Sequence, residues 1–259
     1  MLKNQRHNEI IDILANQGFA SVRELGKRLY ASQPTIRRDL AYLEKQGYVL
    51  RSHGGVVPAD SRTNTPAPFR RGTRIREKSN ICKLAATLIK PGSMIFIDAS
   101  TTAFYLSEYI SKTENITVLT NGIALCSALA SADITVYSTG GRVKAKSEAF
   151  VGLQAEHAAE NFNADMMFFS ASSLGMDGTV SDYSEDETSL RRTVRRRCKT
   201  AVFLCDSAKF SGEGAFVCFS AEELDYIVTD TELPTDMVSG LGFRISKKTE
   251  NAVLYEKHI

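Results

Sequence analysis

A small helical head carrying a hairpin, followed by an α/β body on a mostly parallel sheet, is the fold class that the sequence predicts. Three observations carry it. Over residues 1–76, Lys and Arg outnumber Asp and Glu by 14 to 6, whereas the remaining 183 residues hold 18 against 24. Short amphipathic stripes with cap signals fill the first 50 residues, and a Gly-Gly pair closes a short extended run after them. Beyond residue 77, apolar runs of strand length alternate with helical stretches, the rhythm of a sheet covered on both faces.

The head divides into three helices. Ile10, Ile11 and Leu14 form the stripe of the first, which Gly18 ends. Ser21 caps the second, with Glu24 placed to complete a capping box and Val22, Leu25 and Leu29 inward. Ser32 caps the third, and Pro34 falls in its first turn, where the missing N–H costs nothing. Ile36, Leu40 and Leu43 then share one face, which leaves Pro34, Arg38, Ala41 and Lys45 opposite, with Thr35 and Arg37 on the flanks. Gly47 stops the helix, and Tyr48–His53 leads into Gly54-Gly55. A short helix with a basic outer face beside a small basic hairpin is the outline of a winged helix-turn-helix, which lays its third helix in the major groove of duplex DNA. The expected head is therefore residues 1–58. The stretch 59–76, with Pro66, Pro68, Arg62, Arg70, Arg71, Arg74 and Arg76, reads as a basic linker, and the body as residues 77–259.

Composition narrows the class. With 24% charged and 43% hydrophobic residues, the chain has the make-up of an ordinary soluble protein, and no run approaches the ~20 apolar residues of a membrane span. The start lacks an apolar secretory core, so a cytoplasmic protein is expected. Five cysteines, odd in number and without a CxxC pair, imply neither a disulfide framework nor a metal site. No phosphate-loop or dinucleotide fingerprint occurs, and no cofactor is expected.

In the body, strands are expected at Met94–Ile97, Ile116–Leu119, Ile134–Tyr137, Met166–Phe169, Ala201–Leu204, Tyr226–Val228 and Ala252–Tyr255, with helices over 78–89, 103–111, 122–131, 149–161 and 185–198. Ligands of open α/β sheets sit beyond the carboxyl ends of strands. Those ends read Asp98-Ala-Ser100-Thr101-Thr102, Thr120-Asn121-Gly, Ser-Thr-Gly140-Gly141-Arg142, Ser170-Ala-Ser-Ser-Leu-Gly and Asp206-Ser-Ala-Lys209. Hydroxyls, glycines and helix starts meet what a phosphate needs: exposed N–H groups, donors and close backbone approach. Lys209, Arg142 and Arg191 are the candidate cations, with Glu187 four residues before Arg191. Asp98, Asn121 and Asp206 are candidates for polyol hydroxyls. Any one of these sites read alone is a helix cap. No Ser-His-Asp, Cys-His or paired-carboxylate set stands out, so no catalytic residue is assigned. The run Arg191–Lys199 reads as a solvated helix face rather than as a second basic surface.

The strings Thr35-Ile-Arg-Arg-Asp-Leu40, Leu43-Glu-Lys-Gln-Gly47 and Arg51-Ser-His-Gly-Gly55 resemble the N-terminal signature of the DeoR family of bacterial transcriptional regulators. Asp98 with Ser100-Thr101-Thr102, Thr120-Asn121, Gly140-Gly141 and Asp206-Ser-Ala-Lys-Phe210 resemble its effector domain, whose fold is related to ribose-5-phosphate isomerase. The resemblance implies a repressor of a sugar or polyol operon that leaves double-stranded operator DNA when a phosphorylated sugar or polyol binds. It implies DNA contacts from Ser32, Gln33, Thr35, Arg37, Arg38, Arg51, His53 and Gly54. The effector set would be Asp98, Ser100, Thr101, Thr102, Thr120, Asn121, Gly140, Gly141, Arg142, Glu187, Arg191, Asp206 and Lys209. A homodimer or homotetramer is expected, because one small head offers few base contacts. Two departures stand out: Ala99-Ser100 before the paired threonines, and Arg191 where the family usually has Lys. The alternatives are an activator or corepressor-dependent regulator of the same architecture, or a sugar-phosphate isomerase or deaminase carrying a DNA-binding head.

Overall fold

Local cap chemistry builds the head. A computed structural model describes residues 2–45, 47–52, 54–58, 65–132 and 134–258. Its contacts divide into two compact units, 1–73 and 74–259. In the first, α1 (Lys3–Gln17) ends on the left-handed Gly18, whose N–H returns to Leu14. The strand β1 (Ala20–Ser21) leads into α2 (Val22–Arg28), where the Ser21 hydroxyl accepts from the Glu24 N–H at 3.1 Å. The Glu24 carboxylate, expected to complete a capping box, pairs instead with Arg28 one turn on at 3.1 Å.

Helix α3 (Gln33–Lys45) is capped by Ser32, whose hydroxyl accepts from the Thr35 N–H. Strands β2 (Val49–Ser52) and β3 (Gly55–Pro58) form the hairpin, and β1 joins β3 on its other side. Gly55 is required there: a Cβ would stand 2.5 Å from both the Ala20 carbonyl oxygen and the Phe19 ring. Ile10, Leu14, Leu25, Ile36, Leu43, Val49 and Val56 close one core.

The expected linker needs correction. Residues 59–64, Arg62 among them, lie outside the described residues, but α4 (Ala67–Gly72) follows directly. Pro66 stands at its cap and Pro68 in its first turn, so the prolines start a helix instead of breaking one. Ala67 is buried, and the Phe69 ring lies 3.5 Å from that of Tyr48 between centroids. Phe69 thereby packs α4 onto the head's core.

One ion pair fastens the third helix to the first. Asp39, 3% exposed, accepts from Arg6 Nε at 2.6 Å and lies 2.9 Å from His7 Nε2. Burial alone would push the Asp39 carboxyl up, but the bonds from Arg6 and His7 outweigh it and hold it below the usual range. A lowered folded value means stability that is present in full above about pH 4 and lost as pH falls through the folded value. Asp39→Asn is therefore expected to cost about 3 kcal/mol at pH 7 and less at pH 3. Melting curves of both proteins at the two pH values check this; an equal gap at both would remove the charge from the account.

The second unit alternates strands and helices in order: α5 (Ile75–Ala85), β4 (Met94–Ile97), α6 (Ser107–Ile110), β5 (Thr117–Thr120), α7 (Ile123–Leu129) and β6 (Thr135–Ser138). A hairpin of β7 (Arg142–Lys144) and β8 (Ala149–Val151) precedes α8 (Leu153–Glu160) and β9 (Ala164–Phe169). Then come β10 (Ser173–Leu174), β11 (Val180–Asp182), α9 (Glu185–Arg195), β12 (Cys198–Cys205), β13 (Phe216–Phe219), β14 (Tyr226–Thr229), α10 (Thr235–Gly240), β15 (Phe243–Lys248) and β16 (Val253–Lys257).

The main sheet runs β15-β16-β14-β12-β9-β4-β5-β6, parallel from β14 to β6, with β16 and β15 antiparallel at one side. Successive residues face opposite layers: Phe96, Met167, Phe169 and Phe203 enter one core, Ile95, Ile97, Phe168 and Val202 the other. That two-sided burial is why the strands read as continuous apolar runs.

Three expectations fail in detail. Residues 149–161 are not one helix, since β8 occupies the start and Gly152 (φ 88°) breaks the chain before α8. The helix expected over 185–198 ends at Arg195, because Cys198 already pairs with Ala164 in the sheet. Strand β15 and the small antiparallel sheet β10-β11-β13 were not foreseen.

Candidate functional site

On the head, Pro34, Arg37, Arg38, Ala41 and Lys45 are exposed along one side of α3. Arg37 lines a groove of about 440 Å³ with Gln33, Arg51, Ser52 and Gly54, between the helix and the hairpin. The other candidates are engaged more locally. Ser32 and Thr35 place their hydroxyls 2.8 Å apart at the cap, and Arg51 pairs with Glu44 at 3.0 Å, which ties the hairpin to α3. His53 lies outside the described residues. An exposed arginine pair on a helix beside a basic hairpin can neutralise phosphates and reach base edges.

In the second unit the strand order reverses between β4 and β9, since β4 to β6 run one way and β9 to β14 the other. Ligands of open α/β sheets bind at such a reversal, and the ends of β4, β9 and β12 meet at this one. Asp98 accepts from the Ser100 N–H at 3.0 Å and from the Ser170 N–H at 3.4 Å. Lys209 donates to the Ser170 hydroxyl at 2.6 Å and to Thr102 at 3.4 Å, and stands 3.6 Å from Asp206. Thr101 and Thr102 are buried beside them.

The fully buried Arg191 forks between two carboxylates, Asp98 at 2.8 Å and Asp182 at 2.7 Å, with Glu187 at 3.6 Å. Burial pushes the Asp98 carboxyl up in spite of this partner. At Asp182 burial also acts upward, but Arg191 and Ser172 win and hold it low. Asp182 gives its other oxygen to the Ser172 hydroxyl and the Tyr183 N–H. The arginine therefore serves as a bracket: both carboxylates are spent on it and on loop N–H groups.

The remaining candidates surround this centre. Asn121 accepts from the Ala99 N–H at 2.9 Å and donates to the Phe150 carbonyl, which joins the end of β4 to β8. Thr120 caps the Gly122 N–H. Gly141 (φ 106°) has no room for a side chain, since a Cβ would lie 2.9 Å from the Val151 carbonyl oxygen. Arg142 is not brought into the centre; it is 62% exposed in its side chain and pairs with Asp186.

Four residues that the sequence reading did not assign to the strand ends lie beside them, Arg74, Lys78, Asp182 and Asp230, and Ser170 entered it only as the start of one end. Arg74 reaches Asp206 at 3.0 Å, Asp230 at 2.8 Å and Ser207 at 2.9 Å. Burial would raise the Asp206 carboxyl, but Lys209, Arg74 and Lys78 together hold it low. Lys78 is 4% exposed. Its spacing of three, four and seven residues to Ile81, Cys82 and Ala85, all buried, places it on the inward stripe of α5, and that period was a signal available in the sequence.

After Arg191, the exposed Arg192 and the half-buried Arg195 tie α9 to neighbouring backbone. Arg192 donates to the Val217 and Cys218 carbonyls and Arg195 to those of Glu223 and Cys198. Among the described residues, no group of three or more His, Cys, Asp or Glu could hold a metal ion, and no helix is long and apolar enough to cross a membrane.

A helix with exposed arginines beside a hairpin wing, followed by a mixed α/β unit with polar groups gathered at its strand ends, has the make-up of a transcription regulator. Residues 6–62 match the model of the DeoR-like helix-turn-helix domain, and residues 73–231 that of the DeoR C-terminal sensor domain. The chain belongs to the DeoR family. It is 34% identical to the HTH-type transcriptional regulator GolR of Listeria innocua over 90% of this chain and 92% of that one. It is 28% identical to the glycerol-3-phosphate regulon repressor of Escherichia coli over 93% and 96%. Among solved structures, ribose 5-phosphate isomerase A of Methanocaldococcus jannaschii aligns over 69% of this chain and 77% of its own, with 13% identity and a TM-score of 0.39.

Proposed function

We propose that the protein is a repressor of a sugar or polyol operon, released from its operator when a phosphorylated sugar or polyol binds at the strand ends of the second unit. It acts as a homodimer or homotetramer, so that paired heads meet repeated half-sites. The carrying observation is Lys209, which meets Ser170, Thr102 and Asp206 where the ends of β4, β9 and β12 converge. An ammonium among buried hydroxyls suits a phosphate monoester. The other observation in favour is the relative that is a glycerol-3-phosphate regulon repressor.

Binding without turnover is the reading that the carboxylates favour. Asp98, Asp182 and Asp206 are each committed to cations or N–H groups, which leaves no poised general base among them.

Calorimetric titration of the full chain with phosphate monoesters of three- to six-carbon sugars, each beside its unphosphorylated parent, tests the reading. One ester should bind and its parent should not. Lys209→Ala should weaken that ester by tenfold or more while operator binding in a mobility-shift assay stays within about twofold. Undiminished ester affinity in Lys209→Ala would remove the lysine from the site.

A further inference from the structure

Arg74 joins three features that nothing in the proposed function requires to coincide. It is the first residue of the second unit, directly after Thr73, the last of the head. Its backbone is left-handed, with φ 51° and ψ 42°, a conformation disfavoured for any residue that carries a Cβ. Its guanidinium spans the ends of two neighbouring strands, with Asp206 at 3.0 Å after β12 and Asp230 at 2.8 Å after β14. Ser207 accepts from it as well and itself bonds Asp230, through both its N–H and its hydroxyl. Asp206 in turn is shared with Lys209.

We propose that Arg74 is the positioning residue through which occupancy of the strand-end site reaches the DNA-binding head. This rests on the reading that a phosphate ester binds beside Lys209. A phosphate placed there competes with Asp206 for the ammonium, and this alters the pull of Asp206 on the guanidinium, which is one third exposed in its side chain. The ionic hold that Asp206 and Asp230 exert on Arg74 then changes. A strained turn persists only while its surroundings enforce it. Once the side chain shifts, φ relaxes toward the right-handed or extended region, and the direction in which the chain leaves toward Thr73 changes. The device needs no contact between the two units beyond the peptide bond itself.

The substitutions separate backbone from side chain. Arg74→Gly keeps the left-handed turn without strain and removes the relay. Arg74→Lys keeps a charge but cannot span both carboxylates. Asp230→Asn weakens one anchor. The full-length proteins are tested against a duplex that the unmodified protein has selected from a random library, with the same panel of phosphate esters and inorganic phosphate as the smallest probe.

In the unmodified protein the bound ester should weaken DNA affinity by about tenfold or more, within the usual range of coupling between sites. In Arg74→Gly, ester affinity and ligand-free DNA affinity should each stay within about threefold, while the ester's effect on DNA affinity falls below twofold. Arg74→Lys and Asp230→Asn should lie between. Retention of the full tenfold effect by Arg74→Gly overturns the proposal alone. A loss of ester affinity by more than tenfold in Arg74→Gly also overturns it, since the residue is then part of the binding site. No response of the unmodified protein to any ester overturns the phosphate reading, and the relay with it.

Discussion

Arg191→Met is expected to lower the stability of the second unit by about 3–5 kcal/mol, the cost of leaving buried charge without its partner. For a unit of this size that is a fall in Tm of about 10 °C. The cause is specific: the guanidinium is fully buried and shared by Asp98 and Asp182. Without it, burial raises both carboxyls above their unfolded values. A raised carboxyl costs stability progressively as pH climbs above the unfolded value, so the deficit should be larger at pH 7 than at pH 5. Scanning calorimetry at both pH values reads this. A companion variant carrying Asp98→Asn and Asp182→Asn beside Arg191→Met should recover part of the loss, since neutral amides need no counter-charge. An unchanged Tm in Arg191→Met would mean that the fork does not hold the strand ends together.

The second large effect lies on the head. Changing Arg37 and Arg38 together to Ala should weaken DNA binding by about a hundredfold, from two exposed cations on one side of α3. Salt dependence apportions the roles. If a lost arginine met a phosphate, the slope of log K against log salt falls by about one and weak binding is uniform across sequences. If it read a base edge, discrimination at one position relaxes instead. Single variants resolve the two residues, since Arg37 lines the groove beside the hairpin and Arg38 is not among its lining residues. Binding within twofold of normal in the double variant would move the recognition face elsewhere on the head.

Much of the head was legible because its signals are local. Gly18, Ser21 and Ser32 end or cap helices within three residues of themselves, and apolar spacing does the rest. Pro66 and Pro68 misled because proline is compatible with a helix start as well as with a break, and only Tyr48 packing on Phe69 decides between them. The central strands were legible from two-sided burial. Strands β10 and β11 have two and three residues, too few for any alternation to register.

The strand ends were read from the sequence as a list, but the charge pattern that joins them was not. Arg191 was read against Glu187, its neighbour one turn away, whereas its nearest partners come from the end of β4 and from β11, elements that only the fold brings together. Arg74 was counted among the charges of a linker for the same reason: nothing near residue 74 in the sequence announces Asp206 or Asp230.

The two units also differ in how far apart along the chain their partners lie. In the head, β2 pairs with β3 across a tight hairpin, and Ala20 finds Val56. In the second unit, Ile95 must find Met166 before the centre of the sheet exists, with two further strands of that sheet, the β7-β8 hairpin and three helices between them in the chain. Local pairing closes quickly and distant parallel pairing slowly. During synthesis or recovery from heat, the head is therefore expected to form ahead of the second unit.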